Sequence, residues 1–485
     1  MISLIRSCFP VVTLICAISA SWVACSVVAQ EAETSQGDTG GVSDPPSVES
    51  AIGTSNAPQP TPSSNPGANS VVPPEASVPP TTTGEQAVES EQTVESKAGP
   101  AGSMTPEEYR AELMKDPEYV AELDKRVDAY KKSRANLARA VSDQRETFVR
   151  YLNRDVRTPD ARTLFFEQRN KVQQRLDEHY DTALTLTMMG EYNEDAITFL
   201  VTMIQHRYEN SIYDSSTLQG ATLLMDNKSQ LEYIWKAAAR SAVTTGEFQT
   251  ARKIYEVLQK PEVLGDEEFN KTDGTLSFYL DEHEKQFKRE MEIRQKEAAN
   301  GNLPRVLLRT TQGDVEIELY INQAPSAVSH FIKLVESGFY DGLDFQLVIQ
   351  DMLALTGDPN GDGLGNSGQF LGDEHQREDA RHGLRGSLLM AKIPKDDEGN
   401  FFADSGSSQF TILLLPLVSA SQKQTVFGRV IRGMNAISRL RRVDPSKKKE
   451  KGEIVQPPDS IIEATVVSRP KTLPEPIYVD ASVNR

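Results

Sequence analysis

From Glu31 to Ser103 the chain has no aromatic residue, and its Pro, Ser, Thr, Gly, Glu, Ala and Val follow no sustained period. A segment of that kind cannot bury enough apolar surface to offset the entropy of ordering it. Residues 30–103 are therefore expected to be a disordered linker, and compact structure has to come from what lies beyond. The same stretch holds the hydrophobic content of the 485-residue chain to 38%, below the globular average. At that length, two folded units plus unstructured sequence is the natural expectation.

Ahead of the linker, Arg6 precedes an uncharged apolar run from Ser7 to Gln30, with Val27-Val28-Ala29 as a small-residue cleavage site. Residues 1–29 read as a secretory signal peptide. The run is also long enough to serve as an uncleaved membrane anchor. A lipid anchor at Cys25 is a weaker fit, because Trp22 stands three residues before it. All three cysteines, Cys8, Cys16 and Cys25, lie in this segment, so a cleaved chain would have neither disulfides nor thiol chemistry. The expected location is outside the cytoplasm, periplasmic or extracellular, free or tethered to a membrane through the N-terminal segment. The formal charge of −18 speaks against a nucleic-acid partner, which needs a basic face.

Residues 104–300 carry helix signals. Thr105-Pro106-Glu107-Glu108, Asp116-Pro117-Glu118 and Thr158-Pro159-Asp160 each put a capping side chain before a proline and acids. Val127, Tyr130, Leu137, Val141, Phe148 and Leu152 recur at helical spacing and form one buried stripe. Breaks fall near Gly190, Asp214, Asn227, Gly246 and Lys260. Gly246-Glu247-Phe248 with Ala251 and Tyr255 resembles the turn and second helix of a tetratricopeptide repeat, but Gly190 and Gly246 are 56 positions apart, off that repeat's period. A domain of helical hairpins is expected. His179, His206 and His283 stand alone on charged stretches and read as surface or boundary residues, and no metal ligand set is expected.

From Pro304 the signals change. Arg305–Arg309 and Val315–Tyr320 flank Thr311-Gln312-Gly313-Asp314 as a hairpin, and Ala324-Pro325-Ser326 opens a helix with Val328, Phe331, Ile332 and Val335 on one face. A second short helix is expected around Met434–Arg439 and a last strand at Ile461–Val467. Tyr340-Asp341-Gly342, a strand-like apolar run, Gly357-Asp358, Ser408-Gln409-Phe410 and Val426-Phe427-Gly428-Arg429-Val430 occur in that order. In this order and spacing the sequence resembles the cyclophilin family of peptidyl-prolyl isomerases, over about Leu303–Arg469. The resemblance implies an all-β closed barrel with two capping helices across 303–470, followed by a tail over 471–485.

Isomerising an X-Pro bond means breaking amide resonance, against a barrier of about 18–20 kcal/mol. A dry pocket for the proline and a hydrogen-bond donor to its nitrogen lower that barrier, and no metal, cofactor or nucleophile is needed. Carried over to this chain, the resemblance puts the donor arginine at Leu347, after Phe345-Gln346, and the glutamine that orients it at Leu355. Met352 and Leu353 take apolar pocket positions. Thr411 replaces a pocket phenylalanine beside the matching Gln409, and Lys392 replaces an asparagine after Ala391. The family's histidine falls on Gln424 and its tryptophan near Ser419; His382 and Gly386 match. The implied groove is thus Phe345, Leu347, Met352, Leu353, Leu355, Ala391, Lys392, Gln409, Thr411 and Gln424, with no catalytic residue assigned.

The expected partners are X-Pro segments of proteins, bound with weak or lost isomerase activity. Two alternatives are an active isomerase outside the cytoplasm and a helical oligomerisation or envelope-tethering protein. Asp358–Gly363 has the beginnings of a calcium loop, but Gln369 stands at the twelfth position. The basic run from Arg439 to Lys451 reads as a solvated loop. Phe401-Phe402, in a long insertion between Ala391 and Ser408, either folds over the groove or packs on the barrel.

Overall fold

The computed structural model describes residues 106–152, 159–190, 193–260, 271–301, 303–396, 399–445 and 457–480. The expected signal peptide, the expected linker and the lysines of the basic run lie outside these residues. Among the described residues nine helices precede the first strand: α1 (Pro106–Leu113), α2 (Pro117–Leu152), α3 (Pro159–Met188), α4 (Glu194–Glu209), α5 (Ser215–Asp226), α6 (Glu232–Thr245), α7 (Phe248–Leu258), α8 (Lys271–Phe278) and α9 (Leu280–Asn300).

The prolines stand at the expected first helical positions, and the Asp116 carboxylate accepts the Glu118 amide at 2.9 Å. α2 and α3 pair antiparallel, with Ser133 beside His179 and Thr182 while Phe148 meets Phe165. Asn193 and Asp214 cap α4 and α5 through their side chains. Gly246 ends α6 at φ 89°, a left-handed conformation open to glycine. It also lies against α9, since a Cβ there would meet Phe287 Cε1 at 2.5 Å. Helices of 36, 30, 16, 12, 14 and 11 residues in succession keep no common period, so this region is a set of hairpins of unequal length.

Two histidines depart from the expectation. His179 is 3% exposed, between the rings of Tyr130 and Phe199 at 4.8 and 4.5 Å, and His283 is 2% exposed. The rings that enclose His179 come from α2 and α4, outside its own helix.

The second region contains β1 (Arg305–Thr310), β2 (Gly313–Leu319), α10 (Pro325–Glu336), β3 (Leu347–Ile349), β4 (Leu353–Thr356), β5 (Phe370–Leu371), β6 (Ser387–Met390), β7 (Phe410–Leu413), α11 (Ala420–Lys423), β8 (Val426–Arg432), α12 (Met434–Ser438), β9 (Ile461–Ser468) and β10 (Tyr478–Val479). Eight strands form one curled antiparallel sheet in the order β3-β4-β7-β6-β8-β2-β1-β9. It is a half-barrel rather than the closed barrel expected. β3 is only three residues long, and the segment before it reaches the β9 side through single bonds, such as Phe345 N–H to Asp459 C=O at 2.8 Å, and an isolated bridge from Asp344 to Ser460. Phe331 on α10 anchors the core, with Tyr340, Phe410 and Phe427 ring centroids 5.1–5.3 Å away. The tail turns back, so that β10 pairs with β5 and the Tyr478 hydroxyl lies 3.2 Å from His330 Nδ1.

The two regions share a polar, buried seam. Arg381 donates to Glu290 at 2.7 and 2.8 Å and to Glu297 at 2.8 Å, with its guanidinium carbon 3.8 Å from the Tyr320 ring centroid. Arg240 is bidentate on Asp273, with both side chains almost wholly buried. Burial pulls the pKa of Arg240 down, but Asp273, Tyr213 and Asp351 more than offset that and hold the guanidinium charged. Leu415, just past β7, is 3% exposed within the helical core. The described part of the basic run joins this seam instead of forming the solvated loop expected. Arg442 donates to Ser211 Oγ at 3.1 Å and to the Ser438 and Leu440 carbonyls, while burial lowers the pKa of Arg439.

Candidate functional site

The β3–β4 hairpin builds one wall of a groove. Leu347 pairs with Leu355, and Ile349 with Leu353, while β7 places Thr411 beside Leu355 and Leu413 beside Leu353. Alternation along β3 and β4 sends Val348 and Ala354 into the core and leaves Leu347, Leu353 and Leu355 half-buried on the other face. These leucines line a groove of about 850 Å³ together with Met352, Ala391, Lys392, Gln409, Thr411 and Gln424. Nine of the ten residues expected from sequence therefore meet there. Phe345 does not. It is fully buried in the sheet core, because it precedes β3 in an irregular segment where strand alternation has not begun.

The inserted loop forms the facing wall. Phe402 N–H donates to Ile393 C=O at 3.0 Å, Lys395 N–H to Asn400 C=O at 2.8 Å, and Pro394 bridges to Phe401. Phe401 and Phe402 both line the groove, which decides between the two placements the sequence left open. Lys423 fastens this loop to α11 through the Gly399 carbonyl at 2.8 Å.

The polar groups of the groove are largely engaged. The side chain of Lys392 is 5% exposed, and its Nζ lies 2.5 Å from Asp373 Oδ2, which also accepts the Asp404 amide at 3.1 Å. Gln409 Nε2 donates to the Gly363 and Gly365 carbonyls at 3.0 and 2.8 Å, and its side-chain oxygen lies 3.1 Å from the Gln346 amide group. No arginine occurs among the described lining residues, and Leu347 offers no donor. Asp358 is bound up in its own loop, accepting the Asn360 amide at 2.8 Å and the Gly363 amide at 2.5 Å. Its oxygens thus brace the glycine-rich rim of the groove.

The sequence reading missed Leu364, an 81% exposed leucine on that rim, and the contribution of Ile393 and Ala420. A leucine between Gly363 and Gly365 was the available signal for the first. His382 sits at the seam, with Nε2 3.2 Å from an Arg289 nitrogen.

An apolar groove on the outer face of a curled antiparallel half-barrel, with α10 over its core, defines the class. A family model for "Cyclophilin type peptidyl-prolyl cis-trans isomerase/CLD" matches residues 305–466. The Arabidopsis thaliana peptidyl-prolyl cis-trans isomerase CYP18-2 is 36% identical over 143 residues, covering 29% of this chain and 82% of the relative. A Helicobacter pylori peptidyl-prolyl cis-trans isomerase is 32% identical over 139 residues, covering 28% of this chain and 80% of the relative. A crystal structure of a Cryptosporidium parvum cyclophilin type peptidyl-prolyl cis-trans isomerase gives a TM-score of 0.29 at 26% identity, covering 35% of this chain and 99% of that one. The chain belongs to the cyclophilin family, through its C-terminal part. By family it is a peptidyl-prolyl cis-trans isomerase.

Proposed function

We propose that the groove binds proline-containing segments of proteins and that isomerisation there is weak or lost. The observation that carries this reading is Leu347 opposite Leu355, an aliphatic pair at the place where catalysis would need a donor and the residue that aims it. A charged hydrogen bond is worth about 1.5–3 kcal/mol, or one to two decades in rate. The apolar wall and the Phe401-Phe402 loop supply what a proline ring needs for retention, which is burial away from water. The test is isomerisation of a short X-Pro peptide by the full chain and by Leu347→Arg, beside a titration with the same peptide. Binding without acceleration, with turnover rising in Leu347→Arg, supports the reading. Clear acceleration by the unaltered chain overturns it in favour of an active foldase.

The apolar leader and the linker support action outside the cytoplasm, with the folded part free or tethered. Fractionation of cells carrying the full chain tests this, and recovery of the uncleaved chain in the cytoplasm would refute it.

A further inference from the structure

The tip of the groove-bearing hairpin is held from outside the sheet. Asp351 lies in the turn between β3 and β4, next to Met352, at φ 58°. Ser211 Oγ donates to its Oδ1 at 2.7 Å, the Tyr213 hydroxyl to the same oxygen at 2.6 Å, and Arg240 Nη1 to Oδ2 at 2.7 Å. The Asp351 amide in turn donates to Ser211 Oγ at 3.2 Å. These partners lie 140, 138 and 111 residues away, all between α4 and the end of α6. Arg240 is itself locked on Asp273, so the grip is fixed to the interior of the helical region. On its other side Met352 C=O accepts the Leu414 amide at 2.9 Å, and Met352, Leu353 and Leu355 follow directly along the groove wall.

We propose that Asp351 is a positioning residue through which the helical region sets the groove wall, so that peptide affinity depends on the Ser211, Tyr213 and Arg240 grip on this turn. The proposal rests on the reading of the groove as a peptide site. A carboxylate held by two hydroxyls and a guanidinium has little angular freedom, and a left-handed turn residue transmits its orientation to the next peptide plane. Releasing the tip frees the turn that leads from the three-residue β3 into Met352 and Leu353 at the start of β4.

The test uses the full chain and its Asp351→Asn variant. Asparagine tolerates the same backbone conformation and keeps an acceptor oxygen, and Arg240 retains Asp273, so the change is confined to the charge at the tip. Two readouts are taken: the Met352 methyl resonance, assigned through Met352→Leu, and the affinity for a fluorescein-labelled Ala-Leu-Pro-Phe peptide. Asp351→Asn is expected to shift or broaden the Met352 methyl and to weaken peptide binding roughly fivefold, and Asp351→Glu to recover part of both. Glu290→Gln, which weakens the seam at Arg381, is expected to lower the unfolding midpoint and leave affinity and the Met352 methyl unchanged. An unchanged methyl in Asp351→Asn overturns the proposal, as does a Glu290→Gln variant that loses affinity equally. If the unaltered chain binds no peptide, the groove reading fails by itself and the methyl resonance still decides whether the helical region positions the hairpin.

Discussion

The seam buries Arg240, Arg381 and Arg385 among carboxylates, hydroxyls and carbonyls, whereas the groove, on the same β3–β4 hairpin, is walled by Leu347, Leu353 and Leu355. The two lysines among its described lining residues are held, one by Asp373 and the other by the Gly399 carbonyl. The difference shows what a buried guanidinium requires. Where a partner is built in, as Asp273 is for Arg240, burial is sustained; at Leu347 the position across the strand is Leu355, which could orient nothing.

That comparison breaks first at Arg240. Arg240→Met strips Asp273 and Asp351 of their cation, and full-chain stability in urea should fall by about 3–5 kcal/mol. A loss under about 1 kcal/mol, the range of a surface pair, would mean the seam is not the structural element its burial suggests.

Acid should loosen the molecule next. Burial lowers the pKa values of His179, His283 and His330 to about 4. Each folded value lies below the ordinary 6.5, so the unfolded chain takes up the protons first. Stability from these groups is full above about pH 6.5 and drains away as pH falls toward 4, by about 1.4 kcal/mol per pH unit for each group. Burial raises the pKa of Glu290, but Arg381 and Arg294 outweigh it, so that value is lowered and the loss continues below pH 4.5. Urea midpoints measured from pH 7.5 to 4 check this, and a flat profile would contradict it.

Within the groove, Leu347→Arg should raise the isomerisation rate less than Leu347→Arg combined with Leu355→Gln, which supplies a partner for the guanidinium. The double variant is expected to gain about one to two decades, read in a peptide isomerisation assay. Equal rates for the two would show that the groove orients an arginine by other means. The smallest effect belongs to the inserted loop. Phe402 is half-buried, so Phe402→Ala should weaken peptide binding by about 1 kcal/mol, visible in a titration, and unchanged affinity would place that ring outside the bound peptide's reach.

Local chemistry was readable from sequence. The prolines at 106, 117 and 159, the helix breaks near Asp214 and Gly246, the β1–β2 hairpin and the Pro325 helix are each set by neighbours within a few residues, and each is found where its signals stand. The groove was readable because its positions travel with motifs such as Ser408-Gln409-Phe410. What escaped depends on distance along the chain. Nothing near Asp351 announces Ser211, and nothing near His179 announces Phe199. Phe345 went astray for a related reason, since its placement depends on where β3 starts and on Asp459, more than a hundred residues later.

Leu415 carries a practical corollary. It grows from the sheet region yet lies in the apolar interior of the helices, so a fragment beginning at residue 303 would leave that leucine bare in water, Arg381 without Glu290 and Glu297, and Arg442 without Ser211. Such a fragment should precipitate where residues 106–480 stay in solution, a difference that parallel expression and centrifugation would reveal. The motif-bearing third of this chain is therefore not a detachable cassette, and grafting it elsewhere would require its helical scaffold to travel with it.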